Sequence, residues 1–185
     1  MKTLFLSAAL ALAATAASSP AWAGSVSIGN STARDCYEAA INRSADRNGF
    51  YHCNLALDQE ALSPQDRAAT LVNRGALYLR GHDYRSAGRD FDAALKSDAA
   101  NAEAWLNLAI VRLQQGGSGD AMSMIEKSLT LNTVHPALAY YSRSIANERL
   151  GRIRAAYTDL QRAHDLAPQW REPSEDLKRY QLVRR

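Results

Sequence analysis

The chain has 185 residues, of which 46 % are hydrophobic and 22 % charged, and its formal net charge is +3 at neutral pH. That length leaves room for one domain with a substantial core after an N-terminal leader is removed. No apolar run after residue 23 approaches membrane length, which excludes further transmembrane helices. Basic residues outnumber acidic ones from Ala137 onward. This surplus suits either an anionic partner or membrane surface, or a solvated face.

Residues 1–23 predict a cleavable signal peptide of bacterial type. Lys2 supplies the positive start, Leu4–Ala17 is an alanine-rich apolar run, and Ala21-Trp22-Ala23 fits the pattern that signal peptidase reads. The run is too short for a comfortable membrane span, so an uncleaved anchor is the weaker alternative. We therefore expect cleavage before Gly24 and a periplasmic location, with secretion as the alternative. Export also argues against a nucleic-acid partner, and we expect no stable membrane insertion after cleavage.

Residues 24–67 predict a loose leader followed by a helix pair. The two short helices would span residues 31–45 and 49–62, with a turn over Asp46–Gly49 between them. Ser63-Pro64 then marks a break before the next helix. This segment would stack in front of the more regular part of the chain.

Cys36 and Cys53 fall on facing sides of this predicted helix pair. If Cys53 occupies a large-residue position on the second helix, Cys36 points into the same space between the helices. Two cysteines in an exported chain are most simply a disulfide. The alternative is a redox or metal site built on these thiols and His52, but it lacks a fourth ligand and matches no zinc spacing. No metal site is therefore expected.

From Ala68 onward, small and large residues recur with a period near 34 residues. Small residues share one column and large residues another: Gly75, Ala109 and Ser144 in the first, and Phe91, Ile125 and Leu160 in the second. This period indicates repeated helix pairs. Two antiparallel helices approach closely only where side chains are small, while bulky neighbours fill the grooves. Turns within the pairs are predicted at residues 81–83, 115–119 and 151.

These units resemble the tetratricopeptide repeat (TPR), and the chain is similar to an exported bacterial TPR protein. The stretches AEAWLNLAIVRLQQG and AYYSRSIANERLG carry the resemblance, which extends over units at 68–101, 102–136 and 137–170. It implies an all-α, right-handed superhelical solenoid of antiparallel helix pairs. Residues 24–67 would then be a degenerate N-terminal pair, and residues 171–185 a C-terminal capping helix that begins near Ser174.

The chain shows no pattern typical of an enzyme. Its four histidines are scattered, and it has no His-Glu-x-x-His pair, phosphate-binding loop or Gly-x-Ser-x-Gly elbow. The glycine-rich stretch QQGGSGD lacks the lysine of a phosphate loop and lies at a turn between repeat helices. We therefore expect no enzymatic activity and no cofactor.

The TPR resemblance implies a concave surface, lined by the first helix of each unit, that binds a protein or peptide partner. Positions carried over from the family are mostly apolar here, and the predicted partner groove comprises Val72, Leu79, Arg80, Glu103, Leu106, Ile110, Leu113, Leu138, Tyr141, Ile145 and Arg149. An apolar partner segment would enter it, with Arg80, Glu103 and Arg149 fixing direction at the rim. The carboxylate clamp of some TPR proteins is absent, because only Asn107 matches it.

Two alternatives remain for the same residues. Adjacent first helices touch one another, so part of the apolar set could be internal packing, and the N-terminal segment could cover more of it. A second copy could also cover it, which would make the protein a self-associating structural component of the envelope and a homo-oligomer. The sequence does not choose between an open groove and these arrangements.

Overall fold

The helices follow one another as antiparallel pairs, and each pair packs against the next. The computed structural model describes residues 31–42 and 47–180, and all regular structure within these two ranges is α-helical. The helices are α1 (Ser31–Ile41), α2 (Arg47–Gln59), α3 (Pro64–Arg80), α4 (Tyr84–Ser97), α5 (Ala102–Gln114), α6 (Ser118–Thr130), α7 (Pro136–Arg149), α8 (Ile153–Leu166) and α9 (Arg171–Tyr180). First helices of successive pairs also touch: α1 with α3, α3 with α5, and α5 with α7. The result is a helical solenoid.

Both helices of the first repeat begin with a side-chain N-cap. Ser63 caps α3 by accepting a hydrogen bond from the Asp66 N–H, with Pro64 in the first turn. Asp83 caps α4 in the same way through the Ser86 N–H. These oxygens satisfy N–H groups that have no partner inside the helix.

Some predicted boundaries differ from the structure. The helix around Cys53 starts at Arg47, inside the predicted turn, and ends at Gln59. The capping helix starts at Arg171 and not at Ser174. Pro173 is compatible with this earlier start, because the first residues of a helix need no N–H for the helical ladder. The predicted signal peptide and leader, together with residues 181–185 of the predicted cap, lie outside the described residues.

Helices α3 and α4 approach each other closely at Gly75 of α3. A Cβ at this position would lie 2.5 Å from Cε1 of Phe91 on α4, well inside van der Waals contact. Phe91 is fully buried, so its ring cannot move into solvent. Gly75 therefore gives the phenyl ring its place against the backbone of α3.

In the other two repeats, the residues equivalent to Gly75 and Phe91 divide the side-chain volume between the two helices differently. In the first repeat these positions hold Gly75, which has no side chain, and the phenyl ring of Phe91. In the second repeat the equivalent positions hold Ala109 on α5 and Ile125, which is smaller than phenylalanine, on α6. In the third pair the residues are Ser144 and Leu160, and all four of these side chains are buried. Side-chain volume is thus exchanged between facing helices, as expected of interiors packed to crystal-like density.

We predict that Gly75→Ala destabilises the protein by about 2 kcal/mol, because the added methyl overlaps the Phe91 ring. Adding Phe91→Ile should restore stability to within about 1 kcal/mol, since this pair is the one that α5 and α6 use. Urea unfolding of the two single variants and the double variant measures the coupling. Gly119→Ala is the control: a Cβ there meets nothing within 4 Å, so no loss is expected. Additive effects of the two core substitutions would contradict the prediction.

Ion pairs join first and second helices in two of the three repeats. Arg74 donates to both carboxylate oxygens of Asp90, with Nε to Oδ2 at 2.8 Å and Nη2 to Oδ1 at 2.7 Å. Arg143 holds Asp159 in the same bidentate way, at 3.0 and 2.7 Å. The hydrogen bonds that each guanidinium donates to its carboxylate raise the pKa of the guanidinium, against the opposing effect of burial. Both carboxylates are buried, so each depends on its arginine.

The middle repeat has replaced both members of this pair with apolar residues. Leu108 stands where the flanking repeats have arginine, and Met124 where they have aspartate. Leu108 is buried in the apolar core, and Met124 is partly buried and packs against it. Similar volumes without charges avoid the desolvation cost of an ion pair, so the two solutions are interchangeable in principle.

We predict that Arg74→Leu costs about 3 kcal/mol of stability, because the Asp90 carboxylate stays buried without its counter-charge. The double variant Arg74→Leu/Asp90→Met should recover most of this loss, because it reproduces the chemistry of the middle repeat. Thermal and urea unfolding check both values. A double variant as unstable as the single one would contradict the prediction, because it would show that an apolar pair cannot replace the ion pair in the first repeat.

Candidate binding cleft

An apolar cleft opens on the first helices in the C-terminal half of the solenoid. Its volume is about 240 Å³, and α5, α7 and the start of α9 form its walls. Its lining residues are Ile110, Leu113, Gln114, Leu138, Tyr141, Ser142, Ile145, Arg149, Trp170 and Glu172. Apolar walls with a few polar groups at the edge are typical of binding sites.

Helical spacing brings the α7 side chains to one wall. Leu138, Tyr141, Ile145 and Arg149 are three or four residues apart, which places them on one face over three turns. Leu138, Tyr141 and Ile145 are only partly buried. This face is therefore apolar surface in partial contact with solvent.

Tyr141 joins this wall to the capping helix. Its hydroxyl donates a hydrogen bond to Oδ2 of Asp176 at 2.9 Å, and its ring meets Trp170 with centroids 4.8 Å apart. Burial, and then the hydrogen bond to the carboxylate, raises the pKa of Tyr141 above its ordinary value. The phenol therefore stays protonated and remains a donor at neutral pH.

Arg149 stands at the rim of the cleft and also holds two repeats together. Its Nη1 donates to the carbonyl oxygen of Leu113, in the last turn of α5. Arg80, at the end of α3, makes an equivalent link to the preceding pair, since its Nη2 donates to the Ala40 carbonyl near the end of α1. Cations suit helix C-termini, where the last carbonyls lack partners.

The structure divides the predicted groove into two parts. Six of its residues line the cleft: Ile110, Leu113, Leu138, Tyr141, Ile145 and Arg149. Val72, Leu79 and Leu106 do not line it and are buried in the core, because α1 packs against α3 and α3 against α5. Of the cleft residues, Ile110 and Leu113 also belong to this buried core. The apolar set is thus partly internal packing, the alternative that sequence reasoning left open.

The two predicted rim residues of the first half serve the fold. Arg80 is bonded to α1, as described above. Glu103 is buried, and its Oε1 accepts hydrogen bonds from the Thr133 hydroxyl and the Val134 N–H, both at 2.8 Å. It fixes the loop between α6 and α7, so its carboxylate is not presented to a partner segment.

Sequence reasoning missed Trp170 and Glu172. Both follow the last repeat, and they reach the cleft because α9 takes the place of the next first helix beside α7. A tryptophan directly before the capping helix was the available signal, since a large ring at the end of a stack must be covered or must cover something.

Cys36 and Cys53 form a disulfide that joins α1 to α2, with sulfurs 2.08 Å apart. It lies in a small buried cluster with Leu77, against which Phe50 packs. His52 faces Asp35 instead, with Nδ1 and Oδ2 3.6 Å apart. Among residues 31–42 and 47–180, no group of three or more potential ligands could hold a metal ion. No helix in the same ranges is long and apolar enough to cross a bilayer.

Comparison with known proteins finds likeness in solved structures alone. No family model matches the chain, and no curated protein sequence matches it. The first TPR domain of Spaghetti (RPAP3), solved with the HSP90 peptide SRMEEVD, superposes with a TM-score of 0.59 at 22 % identity, over 64 % of this chain and 94 % of that one. An Arabidopsis OM64 TPR domain gives 0.57 at 22 % identity, over 63 % and 98 %. The predicted TPR fold, an all-α superhelical solenoid, is confirmed.

We predict that Tyr141→Phe lowers stability by about 1 kcal/mol at neutral pH, because the hydrogen bond to Asp176 is lost. The difference from the parent should shrink as pH rises above about 10. Above this pH Tyr141 ionises in the unfolded parent but not in the folded parent, where its pKa is raised, so the parent loses stability. The Tyr141→Phe variant has no ionisable group at this position and does not lose stability in this way. Urea unfolding across this pH range measures both effects. Tyr157→Phe is the control, since that hydroxyl only accepts from Gln161 on the surface of α8. A pH-independent difference would contradict the assignment.

Proposed function

We propose that this protein is a non-catalytic, periplasmic protein-interaction module that holds a segment of a partner protein in the cleft between α5, α7 and α9. The observation that carries the proposal is the partly exposed apolar wall of α7, which faces a preformed cavity. Monomeric proteins seldom leave such surface open without a use. The TPR fold supports this, since one of the two similar domains was solved with a bound peptide.

The size of the cleft suits a side-chain anchor better than a cofactor. Sites for drug-sized ligands measure about 300–1,000 Å³, and the cleft holds about 240 Å³. One or two aliphatic or aromatic side chains of a helical or extended segment would fill it. Arg149 and Glu172, at its edge, would then contact the polar positions of that segment.

The proposed ligand differs from the HSP90 peptide SRMEEVD bound by the first TPR domain of Spaghetti. The places at which the carboxylate clamp needs lysine, arginine or asparagine hold Val72, Ala76, Leu138 and Ser142 here. We therefore propose an internal apolar segment as the ligand, without recognition of a terminal carboxylate. Periplasmic location rests on the signal-like N-terminus, and a cysteine pair joined as a disulfide suits an oxidising compartment.

The test is photo-crosslinking from the cleft rim in native envelope extract. A crosslinking amino acid at Gln114, which is exposed on the rim, should capture a partner protein. Leu138→Glu should reduce capture at least tenfold, because it places a carboxylate against the apolar segment. The fold should tolerate this change, since position 138 lies in the first turn of α7, where a negative charge is favourable.

Leu166→Glu is the matched control. Leu166 is exposed near the end of α8 and outside the cleft, so this variant should capture as much partner as the parent. Circular dichroism should show that both variants remain helical. Capture that persists in the Leu138 variant would refute the cleft as the binding site, and capture of this chain alone would indicate self-association. The peptide SRMEEVD, added in excess, should not compete.

A further inference from the structure

The turn between α7 and α8 combines exposed aliphatic and basic side chains. Leu150 is 40 % and Ile153 50 % exposed, and the side chains of Arg152 and Arg154 are also exposed. Gly151, with φ of 74°, provides the left-handed residue that lets α7 end there. We refer to Leu150–Arg154 as the α7–α8 tip.

The tip departs from the chemistry that favours helix formation. Arg152 occupies the N-cap position of α8, makes no side-chain cap, and no acidic residue follows in the first turn. At the corresponding turn of the first pair, Asp83 caps α4, and Asp120 lies in the first turn of α6. Arginine has no acceptor for the free N–H groups, and its charge opposes the positive end of the helix dipole.

The positive charge of the tip is not neutralised within the described ranges. Arg152 and Arg154 form no ion pair with residues 31–42 or 47–180. The nearest acidic residue before the tip, Glu148, is engaged by Arg179 at 3.3 Å, and the first one after it, Asp159, is buried against Arg143. Local stability therefore offers no reason for this arginine pair.

The last turn of α9 lies close to the two helices that the tip connects. The Arg179–Glu148 pair brings it to the end of α7, and the Tyr180 and Tyr157 rings meet with centroids 5.8 Å apart beside α8. Lys178, on this last turn, is exposed. Within the part of the chain that the structure describes, the unpaired cations flanking the exposed aliphatic residues are therefore Arg152 and Arg154 of the tip itself.

We propose that the α7–α8 tip attaches the protein reversibly to an anionic phospholipid surface, with Leu150 and Ile153 entering the headgroup layer and Arg152 and Arg154 contacting lipid phosphates. A lipid surface offers negative charge above hydrocarbon, which complements aliphatic residues interleaved with guanidinium groups. A purely electrostatic acidic partner would leave the two aliphatic side chains without a role. The proposal goes beyond the proposed function and is independent of the cleft.

Co-sedimentation with vesicles tests the proposal on the purified exported chain. The protein should bind vesicles that contain phosphatidylglycerol and should not bind vesicles of pure phosphatidylcholine. High salt should release it from the anionic vesicles. Arg152→Gln/Arg154→Gln should weaken binding about twenty-five-fold, because each basic residue at an anionic surface contributes roughly fivefold. Leu150→Ser/Ile153→Ser should also weaken binding severalfold, through lost apolar insertion.

Matched variants separate the tip from general charge and from the cleft. Arg85→Gln/Arg89→Gln removes the same charge from exposed positions on α4 and should change binding less than about twofold. Leu138→Glu should keep full vesicle binding. The proposal is overturned if anionic vesicles do not bind the parent, or if the α4 variant loses as much as the tip variant. It is equally overturned if the Leu150→Ser/Ile153→Ser variant binds vesicles as well as the parent. The aliphatic residues would then not enter the lipid, and the tip would be an electrostatic site that acidic polymers such as polyglutamate could also occupy.

Discussion

The solenoid depends on how closely the two helices of each pair approach. At Gly75 the backbone of α3 meets the buried Phe91 ring directly. In the next two pairs the equivalent positions hold a small residue on the first helix and, on the second, an aliphatic residue smaller than phenylalanine. The summed volume at this place governs the distance between first and second helices. That distance in turn determines how the following first helix seats against the pair. The spacing of α5, α7 and α9, and with it the width of the cleft, follows from this repeated contact.

The polar interactions are more variable than this packing. Two pairs use a buried arginine–aspartate bridge, and the middle pair uses Leu108 and Met124. Either solution keeps the helices in register, because each one leaves no buried charge unpaired. Arg80 and Arg149 add links of another kind, since each binds a carbonyl at the end of a neighbouring first helix. Residues that resemble binding arginines in sequence are therefore partly structural.

Fold and cleft differ in how far they could be predicted. The helix pairs follow from columns such as Gly75, Ala109 and Ser144, because helix–helix approach is a local, periodic requirement. Burial of Val72 and Leu79 was one of the arrangements left open by the sequence, and the repeat pattern could not decide it, because burial depends on where α1 packs and α1 does not share that pattern. Trp170 and Glu172 reach the cleft only because α9 folds beside α7. These placements are tertiary consequences that the period alone does not encode.

The disulfide gives the two ends of the stack different freedom. In a one-dimensional array each unit is held only by its neighbours, so fraying starts at the termini. At the N-terminal end Cys36 is linked covalently to Cys53, and separation of α1 from α2 is restrained. The C-terminal end has no disulfide, and α9 is held by non-covalent contacts that include Tyr141–Asp176, Arg179–Glu148 and its packing against α8. We therefore expect α9 and the cleft to open before the disulfide-linked pair, and a segment bound in the cleft would stabilise this end of the array by mass action.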